Sequence, residues 1–217
     1  MIRAIIFDFD GLLVNTEELR ELSITNFLRR YGKVFKRSDY VMTMSGSREE
    51  VTKFLKKKYS LPGQIDKLSD ERISIFDQLF GERLALMEGV TQLLTRARKL
   101  KVKCAIATGR GKDYVLDGLN RLGILDNFEA IVCAEDVVKR KPDPEVYLLA
   151  AKKIGIAPSF CLALDDSPNG VESAKNAGMK VIYVPSARYF DSWHDDADLT
   201  VKSLHEVSDG ILNKLAK

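Results

Sequence analysis

Short, continuous apolar runs recur along the chain, and longer segments with a helical spacing of apolar positions lie between them. Runs that are apolar throughout, rather than at alternate positions, are typical of strands in a parallel sheet covered by helices on both faces. The predicted strands are residues 4–9, 103–107, 130–133, 161–164 and 180–184, and the predicted helices between them are residues 112–122, 144–154 and 168–177. This alternation predicts an α/β fold with a doubly wound parallel sheet.

One long segment interrupts the alternation. No strand is predicted between residues 14 and 83, where helical periodicity covers residues 17–31, 48–59 and 66–80. Such a segment could be an all-helical insertion that only adds stability. Because this segment begins directly after the first strand, we interpret it instead as a helical cap over the end of that strand. The predicted domains are an α/β catalytic core, residues 1–13 and 84–217, and a helical cap, residues 14–83.

Composition excludes several classes of protein. The 217 residues are 45% hydrophobic and 30% charged, which is enough apolar material for a core, and the net charge is only +3. The densest basic stretches, residues 53–58 and 96–103, carry no interleaved aromatic side chains for stacking on bases, so we expect no nucleic-acid binding. The longest apolar run, residues 146–151, is far shorter than the roughly 18 residues of a membrane helix. We expect a cytoplasmic protein without membrane contact, either a monomer or a weak homodimer.

Cysteine and histidine usage argues against two further kinds of site. Cys104, Cys133 and Cys161 are widely spaced and lie within or beside apolar runs, which indicates buried, reduced thiols. No CxxC pair is present, and the two histidines are His194 and His205. A zinc site or a Ser-His-Asp hydrolase is therefore disfavoured.

Polar residues that could carry chemistry follow the predicted strands. They are Asp8-Phe9-Asp10-Gly11 after the first strand, Thr108-Gly109-Arg110 after the second, Asp165-Asp166-Ser167 after the fourth, and Lys141 in the segment before the fourth. Ligands of an open parallel sheet bind beyond the carboxyl ends of its strands. Four carboxylates meeting there would repel one another unless a cation lay among them, and an oxygen-only ligand set favours Mg²⁺.

The lysine and the hydroxyl beside this acidic cluster indicate a bound phosphate, because phosphoryl transfer requires its oxygens to be neutralised. Gly109 and Gly111 would let backbone N–H groups approach such an anion near a helix start. Each motif alone has a structural alternative, since a lone lysine is usually solvated and paired aspartates often cap helices. Their occurrence together, in chain order at predicted strand ends, favours a functional site.

These motifs resemble those of the haloacid dehalogenase (HAD) superfamily. The resemblance is carried by Phe7-Asp8-Phe9-Asp10-Gly11-Leu12-Leu13, Thr108, Lys141-Pro142-Asp143-Pro144 and Asp165-Asp166-Ser167-Pro168-Asn169-Gly170, and it runs through nearly the whole chain. Within the superfamily the chain is most similar to the β-phosphoglucomutase-like and sugar-phosphatase group, whose helical cap follows the first motif. The resemblance implies a Rossmann-like core.

The resemblance also implies roles for these residues. Asp8 would be the nucleophile that forms an aspartyl-phosphate, and Asp10 the general acid and then the general base. Thr108 and Lys141 would bind the phosphoryl group. The implied Mg²⁺ ligands are Asp8, the backbone carbonyl of Asp10, Asp166, and Asp165 either directly or through water. The implied substrate-binding residues are Gly11, Gly109, Arg110, Arg48 and Arg20.

Asp10 separates phosphate chemistry from dehalogenation. A halide leaves without a proton, whereas an alkoxide leaving group needs an acid beside it. An aspartate two residues after the nucleophile therefore favours phosphate ester chemistry. Arg110 stands where small hydroxyl residues are more usual in the family, and it could be either a solvated residue at a helix start or a substrate contact.

The choice between phosphatase and mutase depends on the cap. Gly46-Ser47-Arg48-Glu49 resembles the mutases, in which a cap arginine can hold a second phosphate, but Arg20 stands where the mutases carry a histidine. We therefore expect a Mg²⁺-dependent phosphatase that hydrolyses a small phosphorylated metabolite, a sugar phosphate, through an aspartyl-phosphate. The alternatives are a β-phosphoglucomutase-like phosphoryl transfer and a non-catalytic module that only binds metal or phosphate.

Overall fold

The chain consists of two compact units. A computed structural model describes residues 1–44, 47–185 and 196–215, so Gly46 of the mutase-like motif lies outside the described residues. The first unit, Met1–Asn15 with Ala85–Lys217, is called the α/β unit here, and the second, Thr16–Leu84, the helical unit. These boundaries differ by two residues and by one residue from the predicted ones. The role of the helical unit as a cap stays a prediction.

The α/β unit is built on a six-stranded parallel sheet. Its strands are β1 (Ala4–Phe7), β2 (Lys103–Ala107), β3 (Ala130–Val132), β4 (Cys161–Asp165), β5 (Lys180–Tyr183) and β6 (Leu199–Thr200). The strand order is β3-β2-β1-β4-β5-β6, with β1 hydrogen-bonded to β2 on one side and to β4 on the other. All four residues of β1 are buried, as expected for a strand covered on both faces. The doubly wound α/β fold is confirmed.

The helices fall into two groups. The helical unit contains α1 (Thr16–Arg30), α2 (Val41–Met44), α3 (Arg48–Tyr59) and α4 (Ile65–Arg83), and the α/β unit contains α5 (Val90–Lys99), α6 (Lys112–Arg121), α7 (Glu145–Ile154), α8 (Pro168–Asn176) and α9 (Asp209–Leu215). Single 3₁₀ turns lie at Arg37–Asp39, Leu125–Asn127, Ala134–Asp136, Pro158–Phe160 and Leu204–Glu206. In the described part of the chain, no helix is long and apolar enough to cross a membrane.

The core of the α/β unit joins the sheet to α7 and α8. Side chains of β1, β2, β4 and β5 pack there against Val146, Tyr147, Val171 and Ala174, all of them buried. The three cysteines are buried and free, as predicted, and burial is the main reason why the pKa of Cys104 rises to about 12. The catalytic candidates therefore project from a rigid, close-packed support.

The two chain segments that lead to and from the helical unit run side by side. The Asn15 N–H donates to the Ala85 carbonyl at 3.1 Å, and the Ala85 N–H donates to the Asn15 side-chain oxygen at 2.9 Å. One step further into the α/β unit, the Met87 N–H donates to the Leu13 carbonyl at 2.9 Å. The insertion thus begins and ends at one hydrogen-bonded position.

Candidate active site

The end of β1 presents two aspartates on one side of the chain. The Asp8 N–H donates to the Leu164 carbonyl of β4 at 2.9 Å, so the backbone stays in the sheet for one residue beyond the strand. Phe9, which lies between Asp8 and Asp10 in the sequence, is fully buried. Gly11 then turns the chain at a φ of 74°, a conformation that other residues rarely adopt.

Lys141 joins the first and fourth strand ends. Its Nζ donates to Asp8 Oδ1 at 2.5 Å and to Asp165 Oδ2 at 2.7 Å. Burial would lower the pKa of this lysine, but the two carboxylates outweigh burial and hold its pKa well above the usual value. Lys141 is therefore a fixed positive charge between two aspartates.

The same surroundings favour the charged form of Lys141 but disfavour the charged form of Asp8. The pKa of Asp8 is raised from 3.8 to about 7, chiefly by burial and also by the charges of Asp165 and Asp10, which together outweigh the lowering effect of Lys141. One ammonium group therefore does not compensate for the burial of these carboxylates in the metal-free protein. A further cation beside Asp8 would favour the ionised form.

Asp165 is completely buried, and donors surround it. Its Oδ1 accepts from the Ser167 N–H at 2.9 Å and from the Ser167 hydroxyl at 2.7 Å. Its Oδ2 accepts from Lys141 and, at 2.6 Å, from the Tyr147 hydroxyl. Since a carboxylate oxygen offers about two lone-pair sites, these four donors occupy Asp165 fully. Of the aspartate pair, this leaves Asp166 as the stronger candidate for a direct metal ligand.

Tyr147 was not among the predicted site residues. Its hydroxyl bonds to Asp165, and the Lys141 ammonium lies 4.9 Å from the centre of its ring. Burial and the Asp165 charge hold the pKa of Tyr147 well above its usual value, so the hydroxyl remains a donor. The tyrosine thus supports both charged partners. Its place on the buried face of α7, with Val146 and Ala150, gave no sign in the sequence of a polar role.

The end of β2 places Thr108 and Arg110 beside the first strand. The buried Thr108 accepts the Arg110 N–H at its hydroxyl oxygen at 3.2 Å. The Arg110 Nε donates to Asp10 Oδ2 at 2.5 Å. The pairing of Arg110 with Asp10 was not predicted. A contact of Arg110 with the substrate stays a prediction.

The start of α6 is occupied by a carboxylate of the protein itself. Both oxygens of Glu135 accept from the Lys112 N–H at 3.1 Å. A Cβ at Gly111 would lie 3.0 Å from that carboxylate, so the glycine makes room for it. Gly111 therefore leaves space for the Glu135 carboxylate. The sequence predicted instead that this glycine would let a bound anion approach the helix start. A Cβ at Gly109 would meet nothing within 4 Å.

The helical unit holds a group of three arginines. Arg72 is buried on α4; its Nη2 donates to the Arg48 carbonyl at 3.3 Å, and its Nε has no hydrogen-bond partner. The pKa of Arg72 is lowered to about 10, chiefly by burial and also by the charges of Arg20 and Arg48. Arg20 pairs with Glu17 at 3.2 Å, and Arg48 is the exposed first residue of α3.

Arg72 was missed, although the sequence held a signal for it. It lies at helical spacing between Leu68 and Ile75, both buried on the same face of α4. A charged residue in the apolar stripe of a helix is unusual and marks a position that deserves a functional explanation.

The donor set at the strand ends fits a hard divalent cation. Within the described ranges, no three acidic, histidine or cysteine side chains already form a metal-binding group. The candidate ligands there are nevertheless all oxygens. The raised pKa of Asp8 indicates that Lys141 alone does not balance the buried carboxylates, which fits Mg²⁺ held by oxygen ligands.

Comparison with known proteins identifies the family. The family model for haloacid dehalogenase-like hydrolases matches residues 5–184. The chain belongs to this family. The match spans β1 to β5 and therefore includes every strand end described above.

This hydrolase is also similar to individual proteins over most of its length. It is 35% identical to YhcW of Bacillus subtilis (strain 168) over 98% of this chain and 96% of the relative. It is 31% identical to the phosphorylated carbohydrates phosphatase of Thermotoga maritima over 83% of each protein. The crystal structure of CbbY from Rhodobacter sphaeroides in complex with phosphate has a TM-score of 0.76 at 28% identity, covering 96% of this chain and 97% of that one.

The comparisons confirm the predicted family and fold. They also confirm the prediction of an enzyme, a phosphoric monoester hydrolase of the HAD type. The individual roles of the site residues stay predictions.

Proposed function

We propose that this hydrolase is a Mg²⁺-dependent phosphatase acting on a small phosphorylated metabolite, in the first place a sugar phosphate. The observation that carries the proposal is the contact of Lys141 with both Asp8 and Asp165, which fixes one oxygen of a buried carboxylate at a strand end. A carboxylate held in this way can attack phosphorus along one direction.

The reaction would proceed in two steps. In the first, an Asp8 oxygen attacks phosphorus, the bond between phosphorus and the ester oxygen breaks, and Asp10 gives its proton to the departing alcohol. In the second, Asp10 takes a proton from water, the resulting hydroxide attacks phosphorus, and the bond to Asp8 breaks to release phosphate. Lys141 and the Thr108 hydroxyl would donate to the phosphoryl oxygens throughout.

The residues that would hold Mg²⁺ are Asp8, Asp166 and the backbone carbonyl of Asp10. When bound, the ion supplies positive charge to the phosphoryl oxygens and to Asp8. Asp165, whose oxygens already accept four hydrogen bonds, would act by orienting Lys141.

The three arginines of the helical unit support an anionic substrate. Arg72 is a buried cation whose Nε has no hydrogen-bond partner, and its neighbours Arg20 and Arg48 repel it. An anion bound by Arg48 and Arg72 would relieve that repulsion. The relative named a phosphorylated carbohydrates phosphatase supports a sugar phosphate as the substrate class.

The test is phosphate release from sugar phosphates, nucleotides and p-nitrophenyl phosphate, with Mg²⁺ and with EDTA, by the wild type and by Asp8→Asn. We expect Mg²⁺-dependent release that Asp8→Asn abolishes while the fold is retained, because an amide oxygen is a poor nucleophile. Appreciable turnover by folded Asp8→Asn would refute the mechanism. An isomerised sugar phosphate among the products would favour the mutase alternative. Binding of Mg²⁺ or phosphate by the wild type without any turnover would favour the non-catalytic alternative.

A further inference from the structure

Arg110 forms an ion pair with the proposed acid and base of the reaction. Its Nε donates to Asp10 Oδ2 at 2.5 Å, and both side chains are mostly buried. The other oxygen of the same carboxylate, Oδ1, is buried and has no hydrogen-bond partner. The two oxygens of Asp10 therefore lie in different surroundings: Oδ2 accepts a hydrogen bond from Arg110, and Oδ1 is buried without a hydrogen-bond partner.

The guanidinium group of Arg110 packs over an aromatic ring. Its central carbon lies 4.9 Å from the centre of the Tyr114 ring. That ring in turn meets Phe9 edge to face, with the centroids 6.1 Å apart and the planes at 79°. Phe9 precedes Asp10 in the chain, so the contacts form a closed circuit from Asp10 through Arg110 and Tyr114 back to the segment that carries Asp10. An arginine stacked on an aromatic ring loses little further freedom when it pairs with a carboxylate.

The backbone of Arg110 is fixed as well. Its N–H donates to the Thr108 hydroxyl at 3.2 Å, and its carbonyl accepts from the Ala134 N–H at 2.9 Å. Thr108 and Ala134 lie just beyond the ends of β2 and β3, two neighbouring strands. The backbone of Arg110 is therefore anchored at the ends of two neighbouring strands.

We propose that Arg110 is a positioning residue that holds Asp10 by Oδ2 and so directs Oδ1 at the reacting oxygen. A buried carboxylate oxygen without a partner is unfavourable, and it gains a partner when the ester oxygen or the attacking water binds there. The proton that passes to the departing alcohol is then carried on Oδ1, and the proton taken from water returns to the same atom. This inference rests on the proposed phosphatase function and adds a residue to it.

The leaving group distinguishes positioning from other roles. Alkyl phosphates need a proton for the departing alkoxide, whereas p-nitrophenolate leaves readily without one. Misplacing Asp10 must therefore slow alkyl phosphates more than p-nitrophenyl phosphate. A structural residue or a contact to the transferred phosphate would affect both kinds of ester alike.

The experiment measures kcat and KM with p-nitrophenyl phosphate and with a sugar phosphate for the wild type, Asp10→Asn, Arg110→Ala and Arg110→Lys. We expect Arg110→Ala to lower kcat for the sugar phosphate about tenfold or more beyond its effect on p-nitrophenyl phosphate, in the same direction as Asp10→Asn and less strongly. Arg110→Lys, which keeps the charge without the planar group, should restore part of the difference. If Arg110→Ala does not fold, Arg110→Lys carries the test.

The matched control is Arg121→Gln, which removes the exposed ion pair with Asp117 on the same helix that follows Arg110. It should leave both rates unchanged. Equal losses for the two esters in Arg110→Ala, or a raised KM with kcat kept, would overturn the positioning role while leaving the phosphatase intact. No phosphate release by the wild type from any ester would instead refute the proposed function itself.

Discussion

At the scale of single residues, Asp8 combines two properties that oppose each other. In its proposed role as the nucleophile it must be ionised, yet burial and two neighbouring carboxylates raise its pKa from 3.8 to about 7. In the metal-free protein, Asp8 therefore holds a proton through the weakly acidic range. This stabilises the metal-free fold at low pH, and the stabilisation is lost as the pH rises through about 7.

We expect a proton and Mg²⁺ to compete for Asp8. Below a pH of about 7, the apparent affinity of the metal-free protein for Mg²⁺ should fall by up to about tenfold per pH unit, because the carboxyl must lose its proton first. Above that pH the affinity should level off. Calorimetric titration with Mg²⁺ from pH 5.5 to 8.5 measures this. Asp8→Asn, which has no proton to lose at this position, is the control, and the same slope in that variant would assign the effect to another group.

The sequence predicted some of these residues and not others, for a physical reason. Asp8, Asp10 and Lys141 are charged residues at strand ends or in loops, where the α/β pattern alone brings them to one edge of the sheet. Tyr147 acts through its hydroxyl from within an apolar helix face, and Glu135 through two hydrogen bonds to a helix start. Both depend on a contact between elements distant in sequence, which the spacing of residues along the chain does not reveal.

At the scale of elements, the start of α8 is fitted closely to the end of β4. Ser167 caps α8 by accepting the Gly170 N–H at 3.1 Å, and the same hydroxyl donates to Asp165. A Cβ at Gly170 would lie 1.9 Å from the Asp165 carboxylate. The first turn of α8 therefore leaves room for that carboxylate only because residue 170 is glycine.

Gly170→Ala should consequently destabilise the fold and impair catalysis together. The methyl group cannot share the space of Asp165, so either the carboxylate or the helix start must move, and Lys141 loses a partner. We expect a loss of about 2 kcal/mol or more in the free energy of unfolding, measured in urea, with a large fall in kcat.

Gly81→Ala is the matched control for this substitution. Gly81 lies within α4, and a Cβ there would meet nothing within 4 Å. It should stabilise the protein by about 0.5–1 kcal/mol, since alanine favours the helix. Similar effects of the two substitutions would contradict the close fit at Asp165.

Elements with a strong period were predicted well. Residues 103–107 and 48–59 coincide with β2 and α3, whereas α1 and α4 differ from their predictions by one to three residues at the ends. The elements without a prediction include β6 and α2, with two and four residues, and also α5, with ten. Segments as short as β6 and α2 contain too few positions for a hydrophobic period, so their conformation depends on neighbouring elements. The helical spacing of α5 was missed.

At the scale of the whole molecule, the proposed function places chemistry and substrate selection in separate units. The α/β unit holds Asp8, Asp10 and Lys141, and the helical unit holds the three arginines. Arg72 is unfavourable where it lies, because it is buried beside two like charges and its Nε has no hydrogen-bond partner. Departures from favourable burial and charge pairing are expected chiefly at functional sites.

Arg72→Met should therefore raise stability and lower activity. We expect the free energy of unfolding to rise by about 1–2 kcal/mol, since a buried charge is replaced by an apolar group of similar length. For substrates that carry a second anionic group, kcat/KM should fall about tenfold or more, with little change for p-nitrophenyl phosphate. Arg29→Met, at an exposed position of α1, is the control and should change neither quantity appreciably. Equal losses on all substrates would refute the selective role of Arg72.

The paired hydrogen bonds between Asn15 and Ala85 have a consequence for the evolution of such a chain. Because the residues on either side of the insertion are paired, residues 16–84 can be lengthened, shortened or exchanged without changing the order of the strands. Under the proposed function, replacing this segment would change the substrate preference while Asp8 and Asp10 keep their places at the end of β1. The hydrogen-bonded pair Asn15 and Ala85 would therefore let the segment between them diverge in evolution while the α/β unit stays the same.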